Sequence, residues 1–177
     1  MLSFTALIIF ISITLIIILL IGYTLPNYIE LHEELDIDSL PEKVFLQFAD
    51  IRLMTIWNPW LYNIQKSDII LEGEPLSVCD KVSFKRKSNS YEKSIELLHI
   101  EMNKKIIFEF DFGFRNKGKM EIDLTQKVKG KTMVYWNFSL YLSNNPIERL
   151  YVFFVRNTYK KMMKIGLKNL KEKLESS

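Results

Sequence analysis

The side chains most suited to imidazole, thiol or carboxylate chemistry in this 177-residue chain are two histidines, one cysteine and scattered carboxylates. His32 and His99 both sit on alternating patterns among polar neighbours, where an imidazole reads as a surface or structural group. Cys79 reads as an inert structural thiol on a strand pattern. Being alone, it excludes an intrachain disulfide framework and a multi-cysteine metal site. No His, Cys and carboxylate group has metal-ligand spacing, and no G-x-S-x-G turn or glycine-rich phosphate loop occurs. Asp80, Glu101 and Asp111 could work as an acid or base if they entered a cavity that raised their pKa, but their patterns turn them to solvent. The inventory yields no catalytic residues, no metal and no cofactor, and it points away from an enzyme.

The distinctive residues are aromatic. In "DIRLMTIWNPWLYN", Trp57 and Trp60 flank an Asn-Pro step, and they are two of the three tryptophans in the chain. Their chemistry is apolar contact. They must be placed by two short helices, because Asn58 precedes a proline and is pushed out of the helical region. The first helix follows "SLPE", where Ser39 is the expected N-cap, Glu42 completes a capping box and Pro41 lies in the first turn.

Ahead of these elements, the chain carries no charge from Met1 to Ile29. "SFTALIIFISITLIIILLIGYTL", Ser3 to Leu25, exceeds the roughly 20 apolar residues that a helix needs to cross a bilayer. Tyr23 and Tyr28 suit the interface at its exit. The run is longer than a signal-peptide core, no Lys or Arg precedes it, and no small-x-small site follows. We expect residues 1–29 to be a transmembrane anchor with its exit segment, and residues 30–177 to be one folded domain. Glu30, Glu33, Glu34, Asp36 and Asp38 follow the span while the first basic side chain is Lys43, so the domain is expected outside the cytoplasm.

Within that domain "LHEELDID" alternates as a first strand, with Leu31, Glu33, Leu35 and Ile37 on one face. From "VSFKRK" to "TMVYWNFSLYL" the chain reads as strands joined by short turns at "SNS", "NKK", "RNKGK" and "KGK", an antiparallel meander. Phe108, Phe110, Phe112 and Phe114 share one face of one strand, and Val134, Trp136, Phe138 and Leu140 share one face of another. A sheet apolar on one side needs a cover. The proline-free run Ile147 to Glu175 supplies it as one long helix. Its expected inner stripe is Tyr151, Val155, Tyr159, Met162, Gly166, Leu170 and Leu174, with Arg149, Arg156, Lys160, Lys164, Lys168 and Lys171 around the remainder. Those cations read first as a solvated face and second as a surface for anionic headgroups. With a net charge of +3 and the aromatics on the buried side, nucleic acid is not an expected partner.

From about Leu35 onward the chain resembles the SRPBCC superfamily, the START, Bet v 1 and polyketide-cyclase group. The resemblance rests on Pro41, Glu42, Val44 and Phe45, then Asp50 with Trp57, Asn58, Pro59 and Trp60. It continues through Thr132, Val134 and Trp136 to Gly166, Leu167, Asn169, Leu170 and Lys171. Between Trp60 and Phe84 the chain departs from the pattern, keeping only Gly73 where relatives are glycine-rich. The resemblance implies an α+β helix-grip fold, a curved antiparallel sheet around a long C-terminal helix, binding an apolar or lipid-like molecule between them. Candidate cavity residues are then Trp57, Trp60, Phe108, Phe110, Phe112, Trp136, Phe138, Tyr151, Tyr159 and Met162. The expected partners are a hydrophobic small molecule or lipid and the bilayer. The alternatives are a cyclase-like or hydrolase-like enzyme using a cavity carboxylate, and a ligand-free scaffold that recruits a protein.

Overall fold

A computed structural model of the chain describes residues 4–62, 69–72, 81–85, 92–111, 117–128 and 130–176. Helix α1 (Phe4–Thr24) leads into β1 (Tyr28–Ile37), and three short helices follow: α2 (Pro41–Ala49), α3 (Ile51–Trp57) and α4 (Pro59–Tyr62). Then come β2 (Ile69–Glu72), β3 (Lys81–Lys85), β4 (Glu92–Glu101), β5 (Lys105–Asp111), β6 (Lys117–Val128), β7 (Lys131–Tyr141) and the long helix α5 (Pro146–Glu175). All strands belong to one antiparallel sheet, ordered β1-β7-β6-β5-β4-β3-β2. The meander runs from β2 to β7, and β1 adds to β7 from Tyr28 opposite Tyr141 to Ile37 opposite Thr132.

Strict alternation gives this sheet two unlike faces. Ile106, Phe108, Phe110, Met120, Ile122, Trp136 and Phe138 are buried on the inner one. The outer face is a ladder of charge, on which Lys105 pairs with Glu121 and Asp123, and Lys117 with Glu109 at 2.5 Å. Helices α2, α3 and α5 cover the inner face, and Val44, Phe45, Phe48, Met54, Met163, Leu167 and Leu170 complete its core. The pairing register shifts between Leu97 and His99 and between Gln126 and Val128, irregularities of the kind that bend a strand.

Several boundaries differ from the sequence expectation. Leu40, not Ser39, is the N-cap of α2, and no side chain caps it. Ser39 is held to the sheet instead, its carbonyl accepting from Thr132 Oγ1 at 2.7 Å, so no capping box forms. Asp50 is the working cap of the corner, accepting from the Arg52 backbone N–H at 2.9 Å. Strand β6 begins at Lys117, inside the expected "RNKGK" turn, and β2 was not anticipated. Phe112, Phe114, Cys79 and Asp80 lie outside the described residues.

Helix α5 starts with Asn145 accepting from the Ile147 N–H at 3.0 Å and Pro146 in the first turn. Its buried residues are Pro146, Val152, Met163, Gly166, Leu167 and Leu170. The expected stripe coincides with these near its C-terminal end and departs towards its N-terminus, where Tyr151 is 61% exposed. Steps of four residues advance about 400° around a helix, so such a series drifts by about 40° per step. At Gly166 the helix lies so close to its neighbours that a Cβ would stand 3.2 Å from both Pro59 Cδ and Trp136 Cζ3.

That approach makes Gly166 sensitive to bulk. Gly166→Val should lose about 1–3 kcal/mol by overpacking, read from denaturant unfolding of the detergent-solubilised chain. Gly166→Ala should fall much nearer the parent, because about 1 kcal/mol of helix propensity offsets a contact that needs only a small shift.

Candidate functional site

The inner face, the α3–α4 corner and α5 bring most of the candidate residues into one aromatic cluster. Trp57 ends α3 at 1% exposure, edge-on to Phe48 at 4.9 Å and to Trp136 at 6.0 Å between ring centroids. Its indole Nε1–H donates to the Gln47 carbonyl at 3.2 Å, and its own carbonyl accepts from Asn169 Nδ2 of α5 at 3.1 Å. Trp57 is therefore a satisfied residue of the core. Asn58, fully buried, turns the chain by accepting from the Trp60 N–H at 3.0 Å.

Trp60 has the more exposed position, half-buried at the centre of four ring contacts. It meets Phe138 at 4.9 Å, Trp136 at 5.7 Å, Phe110 at 5.8 Å and Tyr159 at 6.3 Å, all edge to face. Such geometry sets the positive edge of one ring on the negative face of another. The Nε1–H groups of Trp60 and Trp136 are buried, and neither has a hydrogen-bond partner among the described residues. A buried donor left in that condition costs about 1–3 kcal/mol. Burial, together with its contact to the Tyr151 hydroxyl, pushes the phenol of Tyr159 above its ordinary range.

Of the expected candidates, Trp57, Trp60, Phe110, Trp136, Phe138 and Tyr159 lie in this cluster, and Phe108 is fully buried next to it in β5. Met162 is half-buried, while its neighbour Met163 is in the core. Tyr151 points outward.

Two of the three expected acids face solvent as their patterns indicate, and Asp80 lies outside the described residues. Glu101 is exposed, and hydrogen bonding from Lys104 holds its carboxyl below the usual carboxylate range. Asp111 lies on the outer side of β5. Glu33 had not been singled out, yet it shares the inner face of β1 with Leu31 and Leu35, opposite Trp136 in register. It is 18% exposed, with Lys160 of α5 at 3.8 Å. Its place in "LHEELDID" was the available signal. His32 belongs to the other side of the sheet, where it bonds Asn137 at 2.6 Å beside Glu30, Lys119 and Glu121 in an open groove of about 300 Å³. No group of three or more metal-ligating side chains occurs among the described residues.

Solved structures with this arrangement are numerous and distant in sequence. A major latex-like protein from Panax ginseng superposes with a TM-score of 0.61 at 13% identity, over 84% of this chain and 99% of that one. The helix-grip fold is the one they share. An uncharacterized protein from Rhizobium leguminosarum gives 0.60 at 16% identity, over 85% and 96%. The Aha1 dimer from Colwellia psychrerythraea gives 0.56 at 15%, over 83% and 96%. No family model matches the sequence, and no curated protein does. At these identities the likeness establishes the helix-grip fold and nothing about its cargo.

The phenol of Tyr159 gives the cluster a pH signature. A folded pKa above the unfolded value of about 10 means that the folded state keeps its proton longer. The stabilisation it brings is fully present below the unfolded value and is lost as pH rises through the folded one. Denaturant midpoints should therefore fall as pH climbs past about 10, and Tyr159→Phe should flatten that limb of the profile.

Proposed function

We propose that the chain is a membrane-anchored helix-grip protein. Its domain of residues 30–177 binds an apolar or lipid-like molecule carrying a hydrogen-bond acceptor, held between the sheet and α5. The observation behind this reading is the pair of indole donors, Trp60 Nε1–H and Trp136 Nε1–H, that have no partner among the described residues of an aromatic interior. Aromatic rings and few, well-placed polar groups are what a small-molecule site uses to combine affinity with orientation. A ligand oxygen reaching both donors would relieve the cost of leaving them bare. Binding of apolar molecules is also what the SRPBCC resemblance implies.

The anchor half of the reading rests on α1. Its 21 residues span about 31 Å at 1.5 Å per residue, close to the thickness of the hydrocarbon layer. Phe4, Phe10, Ile17 and Leu20 are among the large side chains exposed around it, which suits lipid and no aqueous surface. The rival is a cleaved signal sequence. Against that rival, the folded domain holds the end of α1: Arg149 Nη1 donates to the Tyr23 and Leu25 carbonyls at 3.3 and 3.2 Å. Gly22 also lies against Pro146, so closely that a Cβ would come within 2.5 Å of the proline carbonyl oxygen. The lack of Lys or Arg between the span and Lys43 supports a domain outside the cytoplasm.

A second reading, a cyclase-like or hydrolase-like enzyme, has one supporting observation in the inward-facing Glu33. It would require turnover that Glu33→Gln abolishes.

Native mass spectrometry of the detergent-solubilised full chain tests the binding. A co-purifying lipid or fatty acid is expected, on a polypeptide that retains its first 25 residues; a bare chain, or one cut after α1, contradicts the proposal. Trp60→Phe keeps an aromatic ring at the site and deletes one donor. Its affinity for a fluorescent fatty acid should drop about three- to tenfold, while a probe without a polar group should bind as before.

A further inference from the structure

Helix α5 has a second apolar face. Ile147, Tyr151 and Phe154 are 63%, 61% and 74% exposed. They follow one another at spacings of four and three residues, so they form one stripe on the side away from Val152, Met163 and Leu170. Phe153 packs on Phe154 with ring centroids 5.7 Å apart, and Tyr28 stacks on Tyr141 at 6.0 Å where β1 and β7 begin and end. Further along that outward side of α5, Lys161 is exposed about two turns beyond Phe154, with Lys164 exposed on the adjacent flank nearly a turn later.

Exposed apolar rings towards one end of the outward side and exposed cations on and beside it further along match a bilayer interface. The position fits as well. Pro146 packs against Gly22, two residues before the end of α1, and Arg149 bonds the carbonyls on which α1 finishes. The first turns of α5 therefore stand at the depth where α1 leaves the hydrocarbon.

We infer that the N-terminal part of α5 lies in the interface of the membrane that α1 crosses, with Ile147, Tyr151 and Phe154 among the upper acyl chains and Lys161 and Lys164 at lipid phosphates. This rests on the reading of α1 as a span. It adds a route to the proposed binding: Tyr159, two helical turns beyond Tyr151 on α5, lies against Trp60 at 6.3 Å between ring centroids. On the same helix, Tyr159 carries the path inward to Trp60, so that a lipid-like ligand exchanges between the bilayer and the aromatic interior along α5.

The test uses the full chain with Cys79→Ser, reconstituted in vesicles of phosphatidylcholine and phosphatidylglycerol. A nitroxide is placed by Phe154→Cys, by Ile147→Cys, by Leu15→Cys within α1 and by Lys168→Cys on the basic part of α5. The ratio of oxygen to nickel-chelate collisions reports depth. At positions 147 and 154 the ratio should exceed that at 168 by about threefold or more, and stay below that at 15. If 15 is lipid-exposed while 147 and 154 behave like 168, the interfacial inference fails and the anchor stands. If 15 is itself in water, the anchor reading fails and takes the inference with it. Spin–spin broadening at 154 that disappears on dilution with unlabelled chain would show a second copy covering the stripe, and would also overturn the inference.

Discussion

Everything in this domain depends on how closely α5 can approach the sheet, and the limit is set at Gly166. With only a hydrogen there, the helix settles onto Pro59 and the benzo ring of Trp136. That contact traps the α3–α4 corner between helix and sheet, and Asn169, one turn later, fastens it through the Trp57 carbonyl. A wider separation would unstack the aromatic cluster; a narrower one is sterically closed. A second glycine does the same at the opposite end, where Gly22 lets α1 seat on Pro146. The long helix is thereby fixed at both ends, once to the interior and once to the anchor.

The tryptophans divide by how their polar atoms are treated. Trp57 has a backbone carbonyl for its N–H and behaves as a keystone of the core. Trp60 and Trp136 contribute the same apolar surface, but their donors have no partner among the described residues. In a well-packed interior, buried polar groups are satisfied almost without exception, and the exceptions tend to have a functional cause. Two such donors on rings 5.7 Å apart, within a fold shared with a latex-like protein, form the chemically most specific feature of the interior. The charged outer face carries paired Lys and carboxylate groups in the manner of a solvated sheet surface.

What the sequence made legible follows from how local each signal is. The uncharged opening run, the alternation in β1, β5, β6 and β7, the break at Asn58-Pro59 and the tight spot at Gly166 are all readable within a few residues. The four residues of β2 carry no alternation long enough to read. Ser39 looked like a cap, but its carbonyl is taken by Thr132, 93 positions away, which no local rule anticipates. The inner face of α5 was misphased towards its N-terminus because that helix meets two environments in succession, a protein core and the surroundings of α1. Tyr151 was placed in the cavity for that reason. Arg149 capping the end of α1 is a tertiary fact written in no single stretch, whereas the inward face of Glu33 was readable in the alternation of β1.

The central claim is that the interior receives an acceptor-bearing apolar molecule at Trp60 and Trp136. The three indole N–H resonances of the 15N-labelled chain, followed as oleate is added, test it most directly. The signals of Trp60 and Trp136 should move downfield as their donors gain an oxygen, while that of Trp57, already bonded to Gln47, holds its position. Three signals that stay where they were, or a Trp57 signal that shifts as far as the other two, would contradict the account.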